Sequence, residues 1–334
     1  MLTLRQNLLE TLKKDGAPVC LPVGFTPFQP LGGDPVFQFV RGNRVRGTTS
    51  YDRWGTLILF PEDAPAAVPM VTPENQIIQD LENWKDYVKV PDLIANCSEG
   101  WEASIENAKK ADRENKLTMV VMGTGIFEQL HMLMTFEDTL TGFLMYPDEM
   151  HELIEVVKEF RLTYMKLIVE HLHPDVICSH DDWGSKTSLF MSPDTWREFF
   201  KEPYRELYNY LHANGVMVMH HGDSWMESIA SDMADIGVDI WQGVLPTNNI
   251  GKLTEELDGR MALMGGIDSI IDREDVTEEE IRQETRRCCE EYGHLPHFIP
   301  SMTYGGPGTI YPWVEGVVYD EIRKYNTERF GMSL

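Results

Sequence analysis

The chain has 334 residues, 42% hydrophobic and 25% charged, with a formal net charge of -25 at pH 7. Phosphate backbones and anionic membrane surfaces are held by clustered Lys and Arg, so this balance argues against nucleic acid and membrane as partners, and no long apolar span or signal-peptide pattern is visible. The five cysteines (Cys20, Cys97, Cys178, Cys288, Cys289) form no CxxC pair, which argues against a disulfide framework or a zinc ribbon and for a reducing, cytoplasmic setting.

In chain order, Leu4, Leu8, Leu9 and Leu12 recur at helical spacing and predict an amphipathic first helix. Ala17 to Phe25 reads as a buried strand, followed by a Gly/Pro-rich loop carrying Arg41, Arg44, Arg46 and Arg53, a basic cluster that either meets an anion or balances nearby acids. Trp54 to Phe60 reads as a hairpin strand, and the proline-rich stretch after it as a connection rather than a domain linker. From Trp101 the pattern becomes regular. Strands are expected at Leu117 to Gly123, Asp175 to Ser179, Val216 to His220, Val238 to Gly243, Met261 to Ile267 and Phe298 to Met302, with helices between them, the longest from Pro147 to Leu172. Strict alternation of strand and helix implies a parallel sheet, and a closed (β/α)8 barrel of roughly 250 residues plus insertions suits the length. We therefore expect one barrel domain over residues 1–334. Residues 1–100 form an N-terminal extension of helix, first strand and hairpin, and residues 101–334 form the regular βα units.

Three of these strands run straight into polar clusters. PDVICSHDDWG ends in His180, Asp181 and Asp182; VMVMHHGDSW ends in His220, His221, Gly222 and Asp223; HFIPSMTYGG ends in Ser301, Thr303 and Tyr304. A strand end delivers such groups to one rim of an α/β sheet, where these folds keep their chemistry. His221 is read as a metal ligand or acid/base, or else as a structural hydrogen-bonding group. His220 has the opposite strand parity and points away if His221 points in. Asp181 and Asp182 are ligands or a general base, or caps of the next segment; His180 is read as structural. Asp223 either orients a histidine or caps the following helix. After the strand at Leu117, GTGIFEQLHMLM supplies Glu128 as a candidate ligand, while its Gly-x-Gly lacks the third glycine of a nucleotide loop. Phe127, Trp183, Tyr304 and Met302 are the candidate lining of an apolar pocket for substrate.

With these residues in order, the chain resembles the uroporphyrinogen decarboxylase superfamily, which includes methylcobamide:coenzyme M methyltransferases and corrinoid-dependent demethylating methyltransferases. YDRWGT (Tyr51 to Thr56) is similar to the family's Asp-x-Trp-Gly segment, MSPDTWREFFKEPYRELYNYLHANG (Met191 to Gly215) to its Ser-Pro helix, and HHGD to its His-x-Cys-Gly-Asp motif. PSMTYGGPGTIYPW stands where the family often has a Gly-Cys-Gly turn. Two departures matter. Nothing after Phe25 reproduces the decarboxylase's Arg-Gln-Ala-Gly-Arg segment, and the thiolates that bind zinc in the coenzyme M enzymes are replaced, the matching positions reading Met219, His221 and Met302.

The resemblance implies a barrel with its site at the C-terminal rim. It also implies a corrinoid-dependent methyltransferase that moves a methyl group from a small methylated substrate, an aromatic methyl ether by preference, to a separate corrinoid protein. Zinc is expected on His221 with Asp181 and Glu128, and His221, Asp181 and Asp182 are the expected catalytic set. A homodimer is left open. The rival readings are a tetrapyrrole decarboxylase, a methylcobamide:thiol methyltransferase and a non-catalytic barrel that binds a corrinoid or a partner.

Overall fold

The computed structural model describes residues 2–64, 66–303 and 311–334. Its strands, in chain order, are β1 Phe28–Pro30, β2 Thr48–Tyr51, β3 Leu57–Phe60, β4 Val68–Pro69, β5 Leu117–Met122, β6 Val176–His180, β7 Met217–His221, β8 Ile240–Val244, β9 Ala262–Ile267 and β10 Phe298–Met302. β1 and β5 to β10 form one curled sheet in that order, every pair parallel, and β2, β3 and β4 form a separate antiparallel sheet. The expected hairpin strand is therefore β3, paired with β2, and the regular units fall where the periodicity places them.

The expected strand at residues 17–25 does not form, and the chain enters the sheet only at Phe28. Pro18 and Pro22 bring no N–H to a ladder. Side-chain amides satisfy the stretch instead: Asn7 accepts from Val19 N–H and donates to Cys20 O, while Asn326 accepts from Leu21 N–H and donates to Leu21 O. One backbone bond, Gly24 N–H to Pro300 O at 3.2 Å, ties the stretch to β10. The parallel sheet thus holds seven strands among the described residues, and residues 17–25 add no eighth.

Alternation along the strands separates two apolar layers. Leu117, Met119, Val176, Cys178, Met219, Ile240, Ala262, Met264 and Ile299 share one cluster on the concave side with Leu8, Phe25 and Phe28. Leu8 comes from the helix Leu4–Leu12, which starts at a capping box of Thr3 and Gln6 and seals this cluster at the N-terminal ends of the strands. Each fully buried side chain of this kind is worth about 1.5–3 kcal/mol. The other parity, with Val120, Met122, Ile177, Val218, Trp241, Leu263, Phe298 and Met302, packs against the helices.

The helix Pro147–Leu172 runs for 26 residues, with proline in its first turn and His173 in the left-handed conformation at its end. Its buried stripe includes Ile154, Val157, Lys158, Arg161, Tyr164, Met165, Ile168 and Leu172, a spacing near 3.6 in which Lys158, Arg161 and Tyr164 carry the polar groups. The helical segment from Pro193 to Ala213 contains a π-helical turn, Arg197–Lys201. It lays Tyr204 and Tyr208 against the outer side of the sheet beneath the polar rim, both fully buried.

Candidate metal centre

The register of β6 on β7 sets the site: Ser179 lies opposite His220, and His180 opposite His221. Successive residues face opposite sides, so His180 and His221 share the concave face while Ser179 and His220 share the helix layer. The inner rings stack, with centroids 4.4 Å apart and planes at 22°. His180 donates Nδ1–H to the Glu128 carboxylate at 2.9 Å. His221 donates Nδ1–H to Gln242 Oε1, and the amide is held in that sense because its Nε2 donates to Met302 O at 3.4 Å. Both histidines therefore keep Nε2 as the nitrogen not spent on a protein acceptor. Asp182 joins them: one ligand atom from each of His180, Asp182 and His221 lies within 4.8 Å of the others.

The charges around these atoms are mismatched. Burial opposes charge on His180, yet the carboxylates of Glu128, Asp182 and Asp181 overcome it and hold its pKa up at about 10. Burial would raise Glu128, but the His180 charge and hydrogen bond pull it down to about 2. Burial and the His180 charge force His221 down to about 3. Asp182 is pushed up to about 7 by burial and by Glu128 and Asp223, and Asp223 to about 6, chiefly by burial. Glu128, Asp182 and Asp223 crowd the His180 ring and hold a proton on it; a divalent cation at His180, Asp182 and His221 would displace that proton and supply positive charge in its place.

Asp181 does different work. It is fully buried, and its carboxylate accepts from Phe127 N–H and Glu128 N–H at 3.0 Å, Trp183 Nε1–H at 2.9 Å and Tyr204 O–H at 2.6 Å. Four donors occupy its lone pairs, and two of them belong to the first turn of the helix Ile126–Leu133, so Asp181 anchors that helix end and has nothing left for a metal. The contact explains Gly125: a Cβ there would stand 2.0 Å from Asp181 Cγ. Burial raises Asp181 to about 6, against the pull of these donors. Just before Gly125, Thr124 sits at φ +55°, a conformation that costs a β-branched residue about 1–2 kcal/mol. The guanidinium of Arg161 holds it there through the carbonyls of Gly123 and Thr124, and reaches Ser179 Oγ at 2.9 Å. This loop is what presents Glu128 to His180.

Against the expected set, His221 and Asp182 are where the site needs them. Glu128 stands one step behind, on His180 Nδ1 rather than among the facing ligand atoms, and Asp181 is an anchor. His180, read from sequence as structural, belongs to the cluster. Phe127 and Trp183 do not line a pocket: Phe127 is fully buried among Phe136, Phe143, Phe190 and Phe200, and Trp183 lies behind the rim on His220 and Tyr204. Met302 has outward parity and is buried against the helices. Tyr304 lies outside the described residues. Of the four arginines, Arg46 lies over Phe60 and Arg53 over Phe39, while Arg41 and Arg44 line a cavity beside Gly123 and Thr124, just past the end of β5, that none of the metal-cluster residues lines. Gln242, on His221, and Arg161, behind the Glu128 loop, are the positions around the cluster that sequence reasoning misses; an arginine on a mostly apolar helix stripe is the signal for the second.

Two imidazoles whose other nitrogens are fixed by acceptors, plus one carboxylate, make a donor set suited to zinc in a site with three protein ligands and one open position. The residues present fit such an ion, although they contain no thiolate. Among the described residues no helix is long and apolar enough to cross a membrane.

The chain is 25% identical over 185 residues to uroporphyrinogen decarboxylases of Burkholderia mallei and Burkholderia thailandensis, which covers 54% of this chain and 48% of those proteins. The chain thus matches about half the length of these curated relatives. A solved methyltransferase from Methanosarcina mazei superposes with a TM-score of 0.67 at 19% identity, over 97% of this chain and 99% of that one, and so shares the fold. The family model described as Uroporphyrinogen decarboxylase (URO-D) matches residues 55–320, and the chain belongs to that family.

Proposed function

We propose that this protein is a corrinoid-dependent methyltransferase that takes a methyl group from a small methylated substrate, an aromatic methyl ether, and passes it to a corrinoid carried by a separate protein. The observation that carries this reading is the His180–His221–Asp182 cluster, in which both histidines present Nε2 on the concave face at the rim. The fold shared with a protein named a methyltransferase supports it. An ether oxygen is a poor leaving group unless its developing negative charge is stabilised. A zinc ion held by His180, His221 and Asp182 supplies that Lewis acidity. The chain's own part is orientation: Glu128 and Gln242 fix the two imidazole tautomers, and Asp181 and Arg161 hold the loop that carries Glu128.

Purified protein is expected to hold one zinc per chain and to methylate cob(I)alamin in the presence of a methoxyaromatic donor, followed by the change in corrinoid absorbance. His221→Ala should lose both the metal and the turnover. Near-normal demethylation by that variant would sink the assignment.

A second reading is tetrapyrrole decarboxylation, the activity for which the curated relatives are named. The sequence match favours it. The charge around the histidines opposes it, because a polycarboxylate reacting there would need cationic partners, and the side chains gathered on His180 are the carboxylates Glu128 and Asp182.

A further inference from the structure

A second concave feature lies on the other side of the sheet wall. A cavity of about 190 Å³ opens between the helix Pro35–Arg41, the helix Ile126–Leu133 and the helix Pro147–Leu172. Arg161 places it relative to the metal centre: this residue lines the cavity and bonds Ser179, whose side chain faces the helices, whereas His180 faces inward. Neither histidine nor carboxylate of the metal cluster lines the cavity.

Its walls combine apolar surface with unspent donors. Val40, Met132, Val157 and Phe160 supply flat and aliphatic surface. Two lining residues hold buried N–H groups with no acceptor in the protein, Gln129 at Nε2 and Arg161 at Nε, with residue exposures of 4% and 2%. Such groups lose their bonds to water on burial and gain nothing in return when left unmet. Three guanidiniums, Arg41, Arg44 and Arg161, face one carboxylate, Asp52. Each guanidinium engages neutral protein groups: Arg41 lies over Phe37, Arg44 donates to Arg41 O, and Arg161 to two carbonyls and a hydroxyl. Asp52 is occupied by Trp54 N–H and Thr56 N–H. The wall is thus cationic in a chain whose net charge is -25.

We propose that this cavity is a second small-molecule site, taking an aromatic carboxylate of the benzoate class. A cavity of roughly 150 Å³ already accommodates benzene, so the volume suits one ring with a carboxylate. The ring packs against Val40, Met132, Val157 and Phe160. The carboxylate meets Gln129 Nε2, Arg161 Nε and the Arg44 charge, the pairing that guanidinium geometry favours. Inorganic phosphate, strongly hydrated, is disfavoured by the apolar walls. Entry is past Phe37 and Gly123, the exposed members of the lining. The site is independent of the methyl-transfer reading.

The test is isothermal titration of the full chain with benzoate, benzamide and inorganic phosphate. One benzoate per chain is expected, with benzamide weaker by about tenfold or more, since it lacks the charge, and no saturation by phosphate. Arg44→Gln and Gln129→Leu should each weaken benzoate by about tenfold, and His221→Ala should bind it like the unaltered chain, even if that variant shows no methyl transfer. Absence of saturable binding at millimolar benzoate overturns the proposal. So does equal affinity in both cavity variants, or loss of binding in His221→Ala, which would move the ligand to the metal centre.

Discussion

His220 and His221 are neighbours on β7 with opposite surroundings. His220 faces the helices, stacks on Trp183 at 4.1 Å, accepts from Tyr208 O–H at Nδ1 and donates from Nε2 to Asp181 O. Both its nitrogens are used, and burial keeps its pKa well below 6.5, so it is a neutral structural ring. His221 faces the concave side, spends only Nδ1, and keeps Nε2 for a ligand. The difference between scaffold and site here is one residue of strand parity and one unspent lone pair. The same division separates Asp181, whose oxygens are saturated, from Asp182, next to it and facing the cluster.

That contrast can be broken at His220. His220→Ala removes a buried ring and strands Tyr208 O–H and Asp181 O, so unfolding free energy should fall by about 2–4 kcal/mol in urea titrations while zinc content stays at the level of the unaltered chain. Full stability with lost metal would exchange the roles assigned to the two histidines. The contrast sharpens at Glu128. Glu128→Gln keeps an acceptor for His180 Nδ1 and Gly125 N–H but removes the charge, and zinc affinity should drop about 10–100-fold in competition with a chromophoric chelator; unchanged affinity would remove Glu128 from the metal centre.

The smallest effect is expected at a histidine outside both groups. His212 bonds Asp239 at 2.8 Å, and that hydrogen bond raises its pKa above 6.5. A raised histidine pKa stabilises the fold fully below the unfolded value near 6.5 and ceases to as the pH rises through the folded one. His212→Gln should therefore lower the melting temperature more at pH 5.5 than at pH 9. The difference should stay under about 1 kcal/mol, because the pair is part-exposed and screened by solvent. An equal loss at both pH values would show that the ion pair contributes nothing.

Periodicity sufficed for β5 to β10 and for the long helix Pro147–Leu172, because each buries one face against a layer of its own. It misplaced the strand at residues 17–25 because the pattern of apolar residues there is strand-like, whereas the groups that satisfy its backbone come from Asn7 and Asn326. The rim was legible as a rim, and strand parity separated His220 from His221. His180 was misjudged for want of register: only when SHDD is laid beside HHGD does His180 fall opposite His221, and Asp181 opposite Gly222. Gln242 gave no signal, since one amide on an apolar strand looks like any other polar interruption until its partners are known. The aromatic residues failed as a pocket because Phe127 and Trp183 serve the packing behind the rim.

The two asparagines that clamp residues 17–25 lie on the first and last helices, and the Leu21–Asn326 contacts join residues 305 apart in sequence. On the ribosome, therefore, the seam between β1 and β10 stays open until Asn326 has emerged, after every described strand. The sheet spends synthesis with an unpaired edge, which invites association with other chains. The helix Pro312–Phe330 acts as the clasp that ends this exposure, so a message truncated shortly before Asn326 yields a chain with every described strand and only the Gly24–Pro300 bond across the seam.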